Sequence, residues 1–242
     1  MEFVIILAVG LVAGTLGGIV GFGSSIMLMP VLVIAFGPRQ AVPVMAIAAV
    51  MANFARILAW WREVDWRAVA AYSVTGIPAA ALGARTLVAL PPPLVEGALG
   101  AFFIGMIPLR RWMSAHNWRL NAWHLAALGL LIGYLTGIVV STGPITAPIF
   151  LGYGLVKGAF VGTEAAASLA VYLSKSVTFR NLGVLPWDIV AKGVITGSSL
   201  MAGAFVAKRF VLKLEPAQFR LLMEGLMLLS GTVLLWAAVF PD

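Results

Sequence analysis

The segment GLVAGTLGGIVGFGSS at residues 10–25 returns, altered but in step, as GLLIGYLTGIVVSTGP at residues 129–144. Gly10, Gly14 and Gly18 meet Gly129, Gly133 and Gly137, each 119 positions on, and Ile19-Val20 meets Ile138-Val139 at the same spacing. Further along, Pro30-Val31 meets Pro148-Ile149, Val64-Asp65-Trp66 meets Leu185-Pro186-Trp187, and Gly83-Ala84 meets Gly203-Ala204, with offsets held between 118 and 121. Isolated glycine matches are common in apolar helices, but an ordered series at nearly constant offset marks an internal duplication. The chain reads as two halves, residues 1–115 and 116–242.

Each copy of this segment lies in an apolar run too long for one membrane span, at 3–38 and 120–156. Each run is punctuated midway, by Gly21-Phe22-Gly23-Ser24-Ser25 and by Ser141-Thr142-Gly143-Pro144. Glycine disfavours helix, Ser and Thr favour N-caps, and Pro suits the first turn of a new helix. The expectation is a helix, a break, and a shorter helix at about 26–36 and 145–155. Three single-span runs follow in each half, at 40–61, 68–84 and 97–109, then at 158–179, 193–207 and 225–240.

Composition fixes the solvent. Of 242 residues, 62% are hydrophobic and only 10% charged, against about 25% charged in an ordinary soluble domain. Such a chain cannot cover a water-facing surface, which excludes a soluble enzyme, a nucleic-acid binder and a disordered protein. At about 20 residues per span it holds roughly eight to ten spans. The net charge of +7 is then an orientation signal in loops. The absence of cysteine removes disulfides and thiolate metal sites, and no cofactor is expected. Met1-Glu2-Phe3 lacks the basic region of a secretory signal, so the first apolar stretch is expected to remain in the protein.

Loop charge predicts the topology. If each interrupted pair crosses an even number of times, the sixteen Lys and Arg divide eleven to five between the two sides; an odd number gives nine to seven. The positive-inside rule favours the first division. Each half then crosses an odd number of times, so the halves are inverted relative to each other and both termini lie outside the cytoplasm.

A helix that starts inside the bilayer exposes unpaired N–H groups and a partial positive charge. Two such ends, one per half, can converge on an anion. Gly23, Ser24, Ser25, Ser141, Thr142 and Gly143 are therefore candidate substrate contacts; the competing role for the glycines and hydroxyls is close helix packing. Mid-span polar and charged residues add Asn53, Arg56 and Lys175, since an intramembrane cation usually marks a pathway or a partner. Snorkelling to the interface is the competing role, more for Arg56, six residues before Arg62, than for Lys175. Glu164 is a candidate for neutralising Lys175 or carrying a coupling proton, with a first-turn helix acid as its plainer reading. His116 and His124 have no partners at ligand spacing, so no metal site is expected. The pattern Gly-x4-Gly-Lys-Ser/Thr is absent, and the tryptophans at run ends read as an interfacial belt.

These residues resemble the TauE/SafE family of membrane anion transporters, the sulfite exporter family, over about 10–236. The resemblance rests on the Gly-rich break followed by Pro30, on the Val64-Asp65-Trp66 turn, and on the repetition of the scheme. The family's Gly-x-Gly-Gly-Gly is replaced here by Gly21-Phe22-Gly23-Ser24-Ser25, and its early Thr-Ser pair in the third helix is missing from 41–45. The resemblance implies movement of sulfite, sulfonates such as sulfoacetate, or related organic acids.

The expected protein is an all-α polytopic membrane protein of two inverted-topology repeats, each with an interrupted helix pair and three further spans. It is expected to be a secondary transporter in the cell membrane (the inner membrane of a bacterium) that binds a small anion at the midplane. Its partners are that anion and the lipid bilayer, with a homo-oligomer allowed and nucleic acid excluded. The alternatives are an intramembrane serine hydrolase, with Ser24 or Ser141 as nucleophile and Lys175 as base, and a passive anion channel.

Overall fold

The computed structural model describes residues 2–20, 23–115, 119–139 and 142–210, with isolated positions at 228, 232, 235 and 236. Gly21, Phe22, His116, Trp118, Ser141 and, those four positions apart, the run at 225–240 lie outside the described residues. Among the described residues the regular structure is all helical, with no strand. The first half runs α1 (Glu2–Val20), α2 (Ser24–Phe36), α3 (Pro38–Trp60), α4 (Trp66–Ala89) and α5 (Pro92–Ala115). The second half repeats the order as α6 (Ala122–Ile138), α7 (Gly143–Gly152), α8 (Lys157–Asn181) and α9 (Trp187–Phe210). Both long runs are interrupted at their Gly, Ser and Thr punctuation, and α2 and α7 each begin two residues before the expected start.

Local chemistry explains the boundaries. Gly23, the residue before α2, has φ of 102°, a left-handed conformation that costs a side-chain-bearing residue about 1–2 kcal/mol. Pro144 lies in the first turn of α7, where a missing N–H removes no helical hydrogen bond. Asp65 caps α4, its carboxylate accepting from the backbone N–H of Arg67 and Ala68 at 3.0 Å each. The backbone N–H of Asp65 in turn donates to Thr163 Oγ1 at 2.9 Å, tying this turn to α8. Asn121 and His124 form a reciprocal cap at the start of α6, so His124 serves helix termination.

The largest packing surfaces join the two halves. α1 lies along α9 and α6 lies along α4; α3 packs on α9 and α8 on α4; α3 and α8 pack on each other. Exchanging the halves maps each of these pairings onto another or onto itself. The repeated glycines make the close approaches. A Cβ placed on Gly133 would lie 2.5 Å from Gly76 O, and one on Gly137 would lie 2.6 Å from Gly83 Cα. Gly14 meets the backbone of Leu200, and Gly203 meets Leu11 and Gly14 in the same manner. This is small-residue packing, which lets helix backbones touch where no hydrophobic effect drives association.

The outward faces are apolar: Ile34 is 80% exposed, Val74 72% and Val4 70%. By length and composition Gln40–Glu63 and Trp187–Ala207 can cross a membrane, with mean hydropathies of 1.8 and 1.6, while Phe3–Ile19, Ser24–Phe36, Ala122–Ile138 and Gly143–Gly152 are apolar but shorter. Trp61, Trp66 and Trp187 stand exposed at helix ends, as an interfacial belt requires.

Gly133→Ala should lower stability by about 1–3 kcal/mol through overpacking against Gly76. Gly105→Ala, where a Cβ meets nothing within 4 Å, is the control and should not be destabilised. Thermal unfolding in detergent checks this; equal melting temperatures for the two variants would contradict the packing account.

Candidate functional site

The two helix restarts meet. Gly23, Ser24 and Ser25 at the start of α2, and Thr142 and Gly143 at the start of α7, line a single cavity. Its remaining wall is Ala49, Ala52, Asn53 and Arg56 from α3 with Glu164, Ser168 and Tyr172 from α8. Neither Gly23 nor Thr142 provides a side-chain cap, so both helices present the positive end of their dipole uncapped; in α7 Pro144 has no N–H and the Ile145 N–H donates to Thr142 O, which leaves the Gly143 amide at that end. The cavity volume is about 20 Å³, room for a water or two.

The wall carries the repeat. Gly23 and Thr142, Ser24 and Gly143, Ala49 and Ser168, and Asn53 and Tyr172 all line it, and each pair is separated by the same 119 residues. Matching positions of the two halves thus share one wall. Ser25, Ala52, Arg56 and Glu164 have no matching residue in that wall; Met45 stands 119 positions before Glu164.

Charge is confined to one ion pair. Arg56 Nη1 donates to Glu164 Oε2 at 3.0 Å, with 9% and 3% of the two side chains exposed. Arg56 Nη2 donates to Asn53 Oδ1, the partner three residues back on the same helix face. Glu164 Oε1 accepts from Ser168 Oγ at 2.8 Å and from Thr146 Oγ1 at 3.3 Å. A buried pair of this kind is tolerable because hydrogen bonds satisfy the remaining acceptors. Glu164 lies two turns into α8, so it is a buried counter-ion and not a first-turn acid. Its partner is Arg56, not Lys175.

Lys175 does other work. Its Nζ donates to the carbonyls of Thr136 at 2.8 Å and Val139 at 2.9 Å, and stands 5.4 Å over the Phe179 ring. These carbonyls close the broken end of α6, where helix geometry leaves acceptors bare and the dipole is negative. Lys175 is not among the cavity-lining residues. Arg56 and Lys175 occupy matching positions, 119 apart, yet one faces the cavity and the other staples a helix end. Thr142 is likewise engaged with that end: its hydroxyl pairs with Thr136 Oγ1 at 2.6 Å, and Thr136 donates to Ile132 O.

Of the candidate contacts, Gly23, Ser24, Ser25, Asn53, Arg56, Thr142, Gly143 and Glu164 therefore lie around one cavity, Lys175 does not, and Ser141 is outside the described residues. The serine-hydrolase arrangement would need the Lys175 amine beside Ser24 or Ser141; that amine is bonded to carbonyls of α6, and Ser141 lies outside the described residues. Sequence reading missed Ser168, Tyr172 and Thr146. Tyr172 was within reach, by adding 119 to the candidate Asn53. No group of three or more metal-binding side chains occurs among the described residues.

Comparison with known proteins gives a consistent class. The family model "Sulfite exporter TauE/SafE" matches residues 6–234. The chain is 27% identical to the probable membrane transporter protein y4hK of Sinorhizobium fredii (strain NBRC 101917 / NGR234), over 72% of this chain and 73% of that one. It is 23% identical to the probable membrane transporter protein YjnA of Bacillus subtilis (strain 168), over 95% of this chain and 98% of that one. No solved structure gives a significant match.

Glu164→Ala leaves the Arg56 charge buried beside two helix N-termini and should cost about 3–5 kcal/mol. The double change Arg56→Met with Glu164→Met should recover most of that loss. Lys175→Met should cost about 1–3 kcal/mol by stripping two buried carbonyls of their donor. Denaturation in detergent measures all three, and wild-type stability in every variant would contradict these assignments.

Proposed function

We propose that this chain, which belongs to the sulfite exporter TauE/SafE family of membrane transporters, is a secondary transporter that binds a small anion between its two halves. The anion is sulfite, a sulfonate or a related organic acid. The single observation that carries this reading is the convergence of the α2 and α7 N-termini on one cavity that also holds Arg56. Two helix N-termini and an arginine suit an oxyanion better than a cation.

The chain is multi-pass in the cell membrane, in a bacterium the inner membrane, and residues 1–115 and 116–242 form two repeats of opposite orientation. Three facts support that arrangement: the offset of 119, the helix pairings that survive exchange of the halves, and the matched residues in the cavity wall. Transport is rocking of the repeats around the shared site.

In detergent, sulfite, sulfoacetate and acetate should raise the melting temperature in proportion to affinity, by the usual linkage of binding to stability. Losing charged hydrogen bonds worth about 1.5–3 kcal/mol, Arg56→Met should weaken the best of these anions about 10- to 100-fold. Saturable uptake of the same anion into proteoliposomes completes the case. Anion-independent melting in wild type, or undiminished affinity in Arg56→Met, would overturn it.

A further inference from the structure

The geometry points to Glu164 as a resident carboxylate that occupies the substrate's own anion subsite, so that a substrate anion enters only as Glu164 leaves with a proton. This inference rests on the transport reading and adds the identity of the subsite and its stoichiometry, one proton for each anion.

The protein already displays an anion in the site. The Glu164 carboxylate takes Arg56 Nη1 on one oxygen, and Ser168 Oγ and Thr146 Oγ1 on the other. These donors come from α3, α8 and α7 and form a cradle for an oxyanion. A carboxylate, sulfite or sulfonate group presents the same acceptors to it. Arg56 also donates through Nη2 to Asn53 Oδ1, which fixes the plane of the guanidinium beside Glu164.

Charge favours exchange. The space beside Glu164 is small, about 20 Å³. The site with its ion pair is neutral, so an added anion would face an unscreened like charge at close range. If the anion instead takes the carboxylate's place on Arg56, Glu164 is left in an apolar interior without a cation. There the neutral acid is the stable form. The balance is simple: the anion gains Arg56, one carboxylate oxygen of Glu164 gains one proton from water, and the net charge of the site is unchanged.

The surrounding groups leave Glu164 as the acid for this exchange among the described residues. Arg56 faces it from α3. Tyr72 comes near it from α4, and Tyr172 lines the same cavity from α8; both are phenols. α7 contains no titratable side chain, and His124 and Tyr134 of α6 stand exposed. Arg62 and Glu63, in the turn after α3, are also exposed, and the Asp65 carboxylate of that turn is held by the backbone N–H groups of Arg67 and Ala68 at the start of α4. With Met45 at the matching position in the first half, there is one such carboxylate per site.

The test is calorimetric titration of methanesulfonate, whose charge does not change with pH, into detergent-purified wild type and Glu164→Gln. Sulfite and sulfoacetate serve as additional probes. Repeating the wild-type titration in buffers of different ionisation enthalpy counts protons without any variant. The expected result is uptake of one proton per anion, with wild-type affinity falling about tenfold per unit rise in pH where Glu164 is ionised. Glu164→Gln should bind at least tenfold tighter than wild type at alkaline pH, with no pH dependence. Anion binding without proton uptake, or weaker binding by a folded Glu164→Gln, would overturn the exchange while leaving the transport reading intact. Failure of wild type to bind any of the three anions at any pH would overturn both.

Discussion

Two helices that stop and restart within an apolar chain leave backbone groups bare, and the rest of the structure is arranged around them. Helix ends cannot be left unsatisfied where water is scarce. At the break between α6 and α7 the two kinds of end are treated differently. The carbonyl end of α6 is closed by the Lys175 amine, deep in the protein. The amide ends of α2 and α7 are not closed by side-chain caps, and both open onto one cavity. The structure satisfies what must hold the fold and leaves electropositive what can bind.

The duplication supplies the cavity, and its departures from symmetry supply the chemistry. Symmetric pairs such as Ser24 with Gly143 and Asn53 with Tyr172 build the walls. The charged pair is not symmetric. Arg56 meets Glu164 across the α3–α8 contact, while Lys175 at the matching position turns to α6 and Met45 stands where a second acid would be. One cation and one carboxylate stand in a nearly symmetric shell, which is the arrangement the proposed anion site rests on. The glycines of α1 and α6 have a separate duty, bringing those helices against α9 and α4 of the opposite half.

Much of the fold was legible because its signals are local. Glycine runs, Ser and Thr before a proline, and the length of an apolar run place the breaks within two residues. Much of the candidate wall followed from the same marks. The roles of the cations did not. Arg56 and Lys175 look alike in sequence, and which one faces the cavity depends on the rotation and depth of α3 and α8, which spacing does not encode. The partner of Glu164 was not legible for a related reason: Arg56 lies 108 residues away, and no helical period connects them. Tyr172 is an ordinary residue of an apolar span until the offset carries it onto Asn53.

The most direct test of the shared anion site is anomalous diffraction from crystals soaked with selenite, the heavier analogue of sulfite. The account predicts one selenium peak within hydrogen-bonding reach of Arg56, between the starts of α2 and α7, with the Glu164 carboxylate moved off the guanidinium. A peak elsewhere on the protein, with that cavity empty and the Arg56–Glu164 pair unbroken, would contradict it.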